Sequence, residues 1–194
     1  MKKNIFLIAI LMVLALSFSG CVEDPGPQGN VTDLENPAEN ESEETVFSET
    51  GAVLNLPSGF EYLATLSPMS VDEIKKEYES ENVSGIIGGT KSLYKYSDGT
   101  DFYVNVIEFE NGDAADELVF SYKSSFKPLR IGSRFVEESF NGHFATKITD
   151  YVTNGGEDVA RYTYIWKNEN SVFVVHGNTD NAALIIGLAE ATGN

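Results

Sequence analysis

The sequence predicts an α+β fold, a largely antiparallel sheet of about seven strands with three helices packed mainly on one face. Three observations lead there. Side chains alternate along short segments: Phe102, Val104 and Val106 interleave with Tyr103, Asn105 and Ile107, the two-residue period of a pleated strand. The segments are separated by turn residues too few for a crossover, namely Ser97-Asp98-Gly99, Asn141-Gly142, Asn154-Gly155-Gly156 and Asn168-Glu169-Asn170. Finally, three stretches open on helix-capping residues.

Taken in order, Phe60 to Leu66 reads as a strand after the Pro57-Ser58-Gly59 turn. Ser70-Val71-Asp72-Glu73 is a capping box: the serine receives free amides and the glutamate reaches back, predicting a helix from Val71 to Glu81. Lys91–Tyr96 and Asp101–Glu110 form a hairpin across Asp98-Gly99. Asn111-Gly112-Asp113 breaks the second strand, and Asp113 is expected to cap a helix through Ser124. Pro128 and Gly132 mark a loop. Strands at 134–139, 143–151, 159–167 and 171–176 follow with short turns, a β-meander. Asp180 is expected to cap a last helix through Ala191, ending at Gly193.

Upstream of this domain, expected to span 51–194, the composition differs twice. Met1-Lys2-Lys3-Asn4 is basic, Ile5 to Leu16 is uncharged and apolar, and Ser17-Phe18-Ser19-Gly20 is a largely small, polar exit, which together describe a secretory signal over residues 1–20. The apolar run is shorter than the roughly 20 residues of a permanent span. Phe18-Ser19-Gly20-Cys21 resembles the lipobox of prokaryotic lipoproteins, with Phe18 where that family prefers leucine. The resemblance covers the first 21 residues and implies that Cys21 is lipidated and becomes the first mature residue. It implies a partner, the membrane, and a location: lipid-anchored on the extracytoplasmic face.

From Val22 to Thr50 there are nine acidic residues and no Lys or Arg. With few apolar groups, such a stretch cannot offset its ordering entropy, so residues 21–50 are expected to be a lipidated cysteine and a disordered acidic tether. As a coil its ends would lie roughly 30 Å apart. Asn30-Val31-Thr32, Asn40-Glu41-Ser42 and Asn82-Val83-Ser84 are glycosylation sequons, which makes Asn30, Asn40 and Asn82 candidate acceptors.

Charge and composition exclude several functions. The 194 residues hold 13 Lys+Arg against 30 Asp+Glu, a net charge of -17, which repels a nucleic-acid backbone. The single cysteine precludes an internal disulfide and an all-cysteine metal site. Gly85 to Ser92 approaches a phosphate-binding loop. However, Thr90 stands where glycine should precede Lys91, and the expected helix-then-strand order is the reverse of the motif's. His143 and His176 lack ligand spacing, so no metal or cofactor is expected. Glu137 and Glu138, adjacent on a strand, should face opposite sides. No nucleophile elbow is present, and no catalytic residue is assigned.

One charge feature remains. Lys123, Lys127, Arg130 and Arg134 cluster near Phe126 and Phe135, a candidate anion-binding patch at a helix end and the loop after it. The element rhythm is similar to that of PsbP-like surface-lipoprotein domains, and a fold does not settle a function. The leading expectation is a lipid-anchored extracytoplasmic binding or interaction domain. The alternative is an exported enzyme with a dispersed active site.

Overall fold

A computed structural model describes residues 52–194. The chain divides into two units, Met1–Asn40 and Glu41–Asn194, and only the second contains described residues. The expected signal segment, Cys21, the acidic stretch expected to be a tether, and the sequons at Asn30 and Asn40 lie outside them.

The elements run β1 (Phe60–Thr65), α1 (Val71–Glu77), β2 (Ile86–Tyr96), β3 (Asp101–Phe109), α2 (Gly112–Ser125), β4 (Phe135–Phe140), β5 (His143–Asn154), β6 (Glu157–Asn168), β7 (Ser171–Gly177) and α3 (Ala182–Glu190). All seven strands join one sheet in the order β1-β2-β3-β7-β6-β5-β4. Every neighbouring pair is antiparallel. The predicted meander is the half β4 to β7, and β7 closes it against β3. The fold is α+β.

Strand alternation divides the core into two layers. On the front face Ile107, Ile148, Ile165, Val172 and Val174 pack with Ile74 of α1 and Ala115 and Leu118 of α2. On the back face Phe102, Val104, Tyr164, Trp166 and Val175 pack with Ile185 and Leu188 of α3. Thus two helices share the front and the third covers the back. The third is needed there: the even-numbered side of β6 carries Tyr162, Tyr164 and Trp166 and is more apolar than the odd one, and burying each large side chain contributes about 1.5–3 kcal/mol. Trp166 stacks on Phe173 with centroids 5.2 Å apart and meets Phe140 edge-on at 5.1 Å.

Local chemistry explains where elements start and stop. The capping box at Ser70 and Glu73 is formed, but α1 is shorter than predicted. Tyr78 caps its end and Glu79 adopts φ +46°, outside the right-handed helix. Two caps shift by position. Asn111, not Asp113, caps α2 by accepting from Ala114 N–H at 3.0 Å, and Asn181, not Asp180, accepts from Ala183 N–H at 3.1 Å. Gly112 is already helical, which leaves Asp113 in the first turn, where its charge meets the dipole's positive end.

The glycines before Lys91 belong to a strand rather than a loop, because β2 starts at Ile86. Gly89 has a steric reason. A Cβ there would lie 2.8 Å from the Val106 carbonyl oxygen and 3.4 Å from Ile74 Cδ1. Met69 N–H donates to the Gly89 carbonyl at 2.8 Å, so the missing side chain lets the approach to α1 lie directly on the sheet.

Candidate functional site

The site begins with one register position. Lys91 of β2 faces Asn105 of β3, so both side chains stand on the front face beneath the C-terminal end of α1. There α1 presents Glu77 and Tyr78 on successive positions. Lys91 Nζ donates to both Glu77 carboxylate oxygens, at 2.9 and 2.8 Å. Asn105 Nδ2 donates to Tyr78 Oη at 2.6 Å and to Glu77 Oε1 at 3.3 Å. The Asn105 residue is fully buried, and its Oδ1 has no partner among the described residues. Such an oxygen is costly unless something else supplies a donor.

Glu77 and Lys91 also line an open hollow of about 640 Å³, walled by Leu66, Pro68, Met69 and Lys76. The hollow lies between α1, its preceding loop and β2. Half-exposed charges on one side and apolar walls on the other make it able to hold a small molecule that has both characters.

One step further along β3, Tyr103 pairs with His176 of β7 and their rings stack at 5.1 Å with 18° between planes. Burial pushes the His176 imidazole down to about 4; the Glu77 charge works against this and the Lys91 charge adds to it. His176 is therefore neutral at neutral pH and remains able to donate or accept a hydrogen bond. From Tyr78 an aromatic chain crosses to α2 and on to β4: Tyr78 to Tyr122 at 5.1 Å, Tyr122 to Phe126 at 5.0 Å, Phe126 to Phe135 at 6.2 Å. Burial holds the Tyr78 hydroxyl well above the usual phenol range and moves that of Tyr122 up to about 12, with Glu77 contributing to both. Both phenols stay protonated donors.

The residues singled out by sequence are distributed as follows. His143 and His176 stand on opposite faces: the ladder aligns His176 with Thr163 and Thr163 with Ile148, a front-face position five residues from His143, and an odd offset reverses the face. No cluster of three metal-binding side chains occurs among the described residues. Glu137 and Glu138 do face apart. Glu137 accepts from Lys123 and Thr146 on the front, and Glu138 accepts from Lys147 and Tyr164 on the back. Although burial acts to raise it, the Glu138 carboxyl lies below its ordinary value because Lys147 and Tyr164 donate to its charged form. Asp98 accepts from Thr100 N–H at 2.8 Å, which is turn chemistry. Asn82 is exposed in a turn.

The four cations of the proposed patch divide into pairs. Lys123 binds Glu137 at 3.0 Å, and Arg134 binds Asp150 at 2.9 Å as well as the Lys127 and Thr149 carbonyls. Lys127 and Arg130 are exposed and form no ion pair among the described residues.

Sequence reasoning did not assemble Glu77, Tyr78, Lys91 and Asn105. One signal was available: Asn105 is an amide in the middle of an otherwise apolar strand, which asks for a partner.

The fold defines an α+β protein built on one antiparallel sheet with helices on both faces. Comparison of the chain with family models, with curated proteins and with solved structures finds no match.

Proposed function

We propose that the chain is a lipid-anchored extracytoplasmic binding domain, tied to the cell membrane through Cys21 and the acidic segment after it, and that its ligand occupies the hollow beside α1. The observation that carries the binding reading is the Glu77–Lys91 pair at the hollow, whose Glu77 also accepts from the buried Asn105 amide behind it. A charge pair held by a buried amide is preorganised, so a ligand that engages it does not have to order it first. The lipobox resemblance supports the anchor, and acyl chains contribute about 0.8 kcal/mol per buried CH₂.

Two experiments test the two halves. Mass spectrometry of the mature N-terminus should find a diacylated or triacylated Cys21, and Cys21→Ser should leave unprocessed precursor. An unmodified cysteine within an intact leader would refute the anchor. For the ligand, NMR titration with small organic acids, amines and sugars should perturb Lys91, Asn105 and the Met69 methyl together. Perturbation confined to another face would refute the site.

A further inference from the structure

Beyond the paired cations, the loop from Lys127 to Ser133 carries an unusual combination. Ile131 is 89% exposed, the most exposed large hydrophobic side chain among the described residues. It directly follows Arg130, which like Lys127 earlier in the same loop has no carboxylate partner among the described residues, in a domain whose acids outnumber its bases. Pro128, Leu129, Arg130 and Ile131 line a shallow hollow of about 340 Å³ with Tyr151, itself 49% exposed, and Asp158. A single exposed isoleucine needs no explanation. An exposed isoleucine in a loop that also carries two unpaired cations, sharing a hollow with Arg130 and a half-exposed tyrosine, matches the chemistry of a lipid headgroup layer: apolar groups enter, cations reach phosphates, and a phenol ring spans the boundary.

We propose that this loop is a membrane-contacting tip, with Ile131 inserted among lipid headgroups and Lys127 and Arg130 against lipid phosphates. The proposal rests on the anchored reading in one respect. A chain held at Cys21 meets the bilayer at the millimolar effective concentration typical of short linkers, so a contact too weak to recruit a free protein would still be occupied. The 29 residues from Val22 to Thr50 separate Cys21 from the described domain. Arg134 contributes by holding the loop: its guanidinium donates to the Lys127 carbonyl and binds Asp150, fixing both ends of the segment to β5. The opposing acid in the hollow is Asp158, which accepts from the Thr153 hydroxyl. The attraction is therefore short-ranged and screened by salt within a Debye length.

The native tryptophan makes the test direct. Trp166 is the only one in the chain and is 1% exposed, so Ile131→Trp adds a reporter over a buried background. The full-length variant is mixed with phosphatidylcholine–phosphatidylglycerol vesicles carrying brominated acyl chains. The emission of the new indole should shift to the blue and be quenched. Adding Lys127→Glu and Arg130→Glu should weaken the quenching roughly ten-fold at low salt. Vesicle flotation of the same sample reports whether the protein is held on lipid at all, and the same variant carrying Cys21→Ser reports the anchor separately. Quenching undiminished by Cys21→Ser would refute the anchor and keep the tip. Flotation without quenching would overturn the tip and keep the anchor, and absence of both at high lipid concentration would overturn the two together. A blue shift before any lipid is added would mean that the loop is covered by protein, from its own chain or a second copy, and would also overturn the proposal.

Discussion

Asn105 and Tyr78 meet across the interface between sheet and helix, with the amide Nδ2 donating to the phenol oxygen at 2.6 Å inside the front layer of the core. The contact links the middle of β3 to the end of α1, the two elements that hold the candidate site. Tyr78→Phe removes the acceptor and leaves a buried donor with only the longer bond to Glu77, so stability should fall by about 1–3 kcal/mol. Adding Asn105→Leu should cost far less than it does alone, because the second change removes the orphaned donor. Urea denaturation of the four proteins in the cycle should give a coupling of about 0.5–3 kcal/mol. Additive losses would mean that the two residues act independently.

Acid should weaken the fold through His176. In the folded chain its imidazole protonates near pH 4, against 6.5 for an unperturbed group, so the unfolded chain binds more protons between those values. Stability therefore falls as the pH drops through that window, by up to about 3 kcal/mol, and this contribution stops changing below pH 4. His176→Gln should flatten the slope of unfolding free energy over the same range. An unchanged slope would place the acid sensitivity in other groups.

The N-terminal limit of the domain should be sharp. Ala52 and Val53 are buried, and Val53 N–H donates to Tyr94 Oη at 2.9 Å. A chain starting at Gly51 should melt within a few degrees of the full one. Starting instead at Pro57 removes that bond and the buried Val53 side chain, a loss of about 2–4 kcal/mol and roughly 5–15 °C in Tm. Calorimetry on both would show whether the step falls between these two starting points.

Gly89→Ala should destabilise the protein by about 1–3 kcal/mol, because the added methyl meets the Val106 backbone carbonyl, which cannot turn away, and also touches Ile74 Cδ1. Amide exchange should show α1 loosening first, since Ile74 is the α1 side chain that yields. Uniform protection throughout would mean that the strand itself absorbs the change.

Much of the fold was readable before any coordinates. The Ser70–Glu73 box, the Asp98-Gly99 turn and the alternation through Phe102–Ile107 act over a few residues, so their physics is written in adjacent letters. The limits of these elements were less legible. Asn111 and Asp113 have equal claims as caps in the sequence, and the neighbour that became helical decided between them. The site was largely hidden. Asn105 announced a need for a partner, but Tyr78 lies 27 residues away in sequence, and only the seating of α1 on Gly89 brings them together.

What the sequence alone determined is the class of fold and the segment order, since composition and short-range pattern suffice for both. What the tertiary structure decided is which like residues act together. It set His143 and His176 on opposite faces, directed Glu137 and Glu138 to different partners, and neutralised Lys123 and Arg134 while leaving Lys127 and Arg130 free in the loop of Ile131. The reason is that a side chain's face follows from strand parity, which a sequence displays, while its partner follows from strand order and helix seating, which depend on contacts spread over the whole chain.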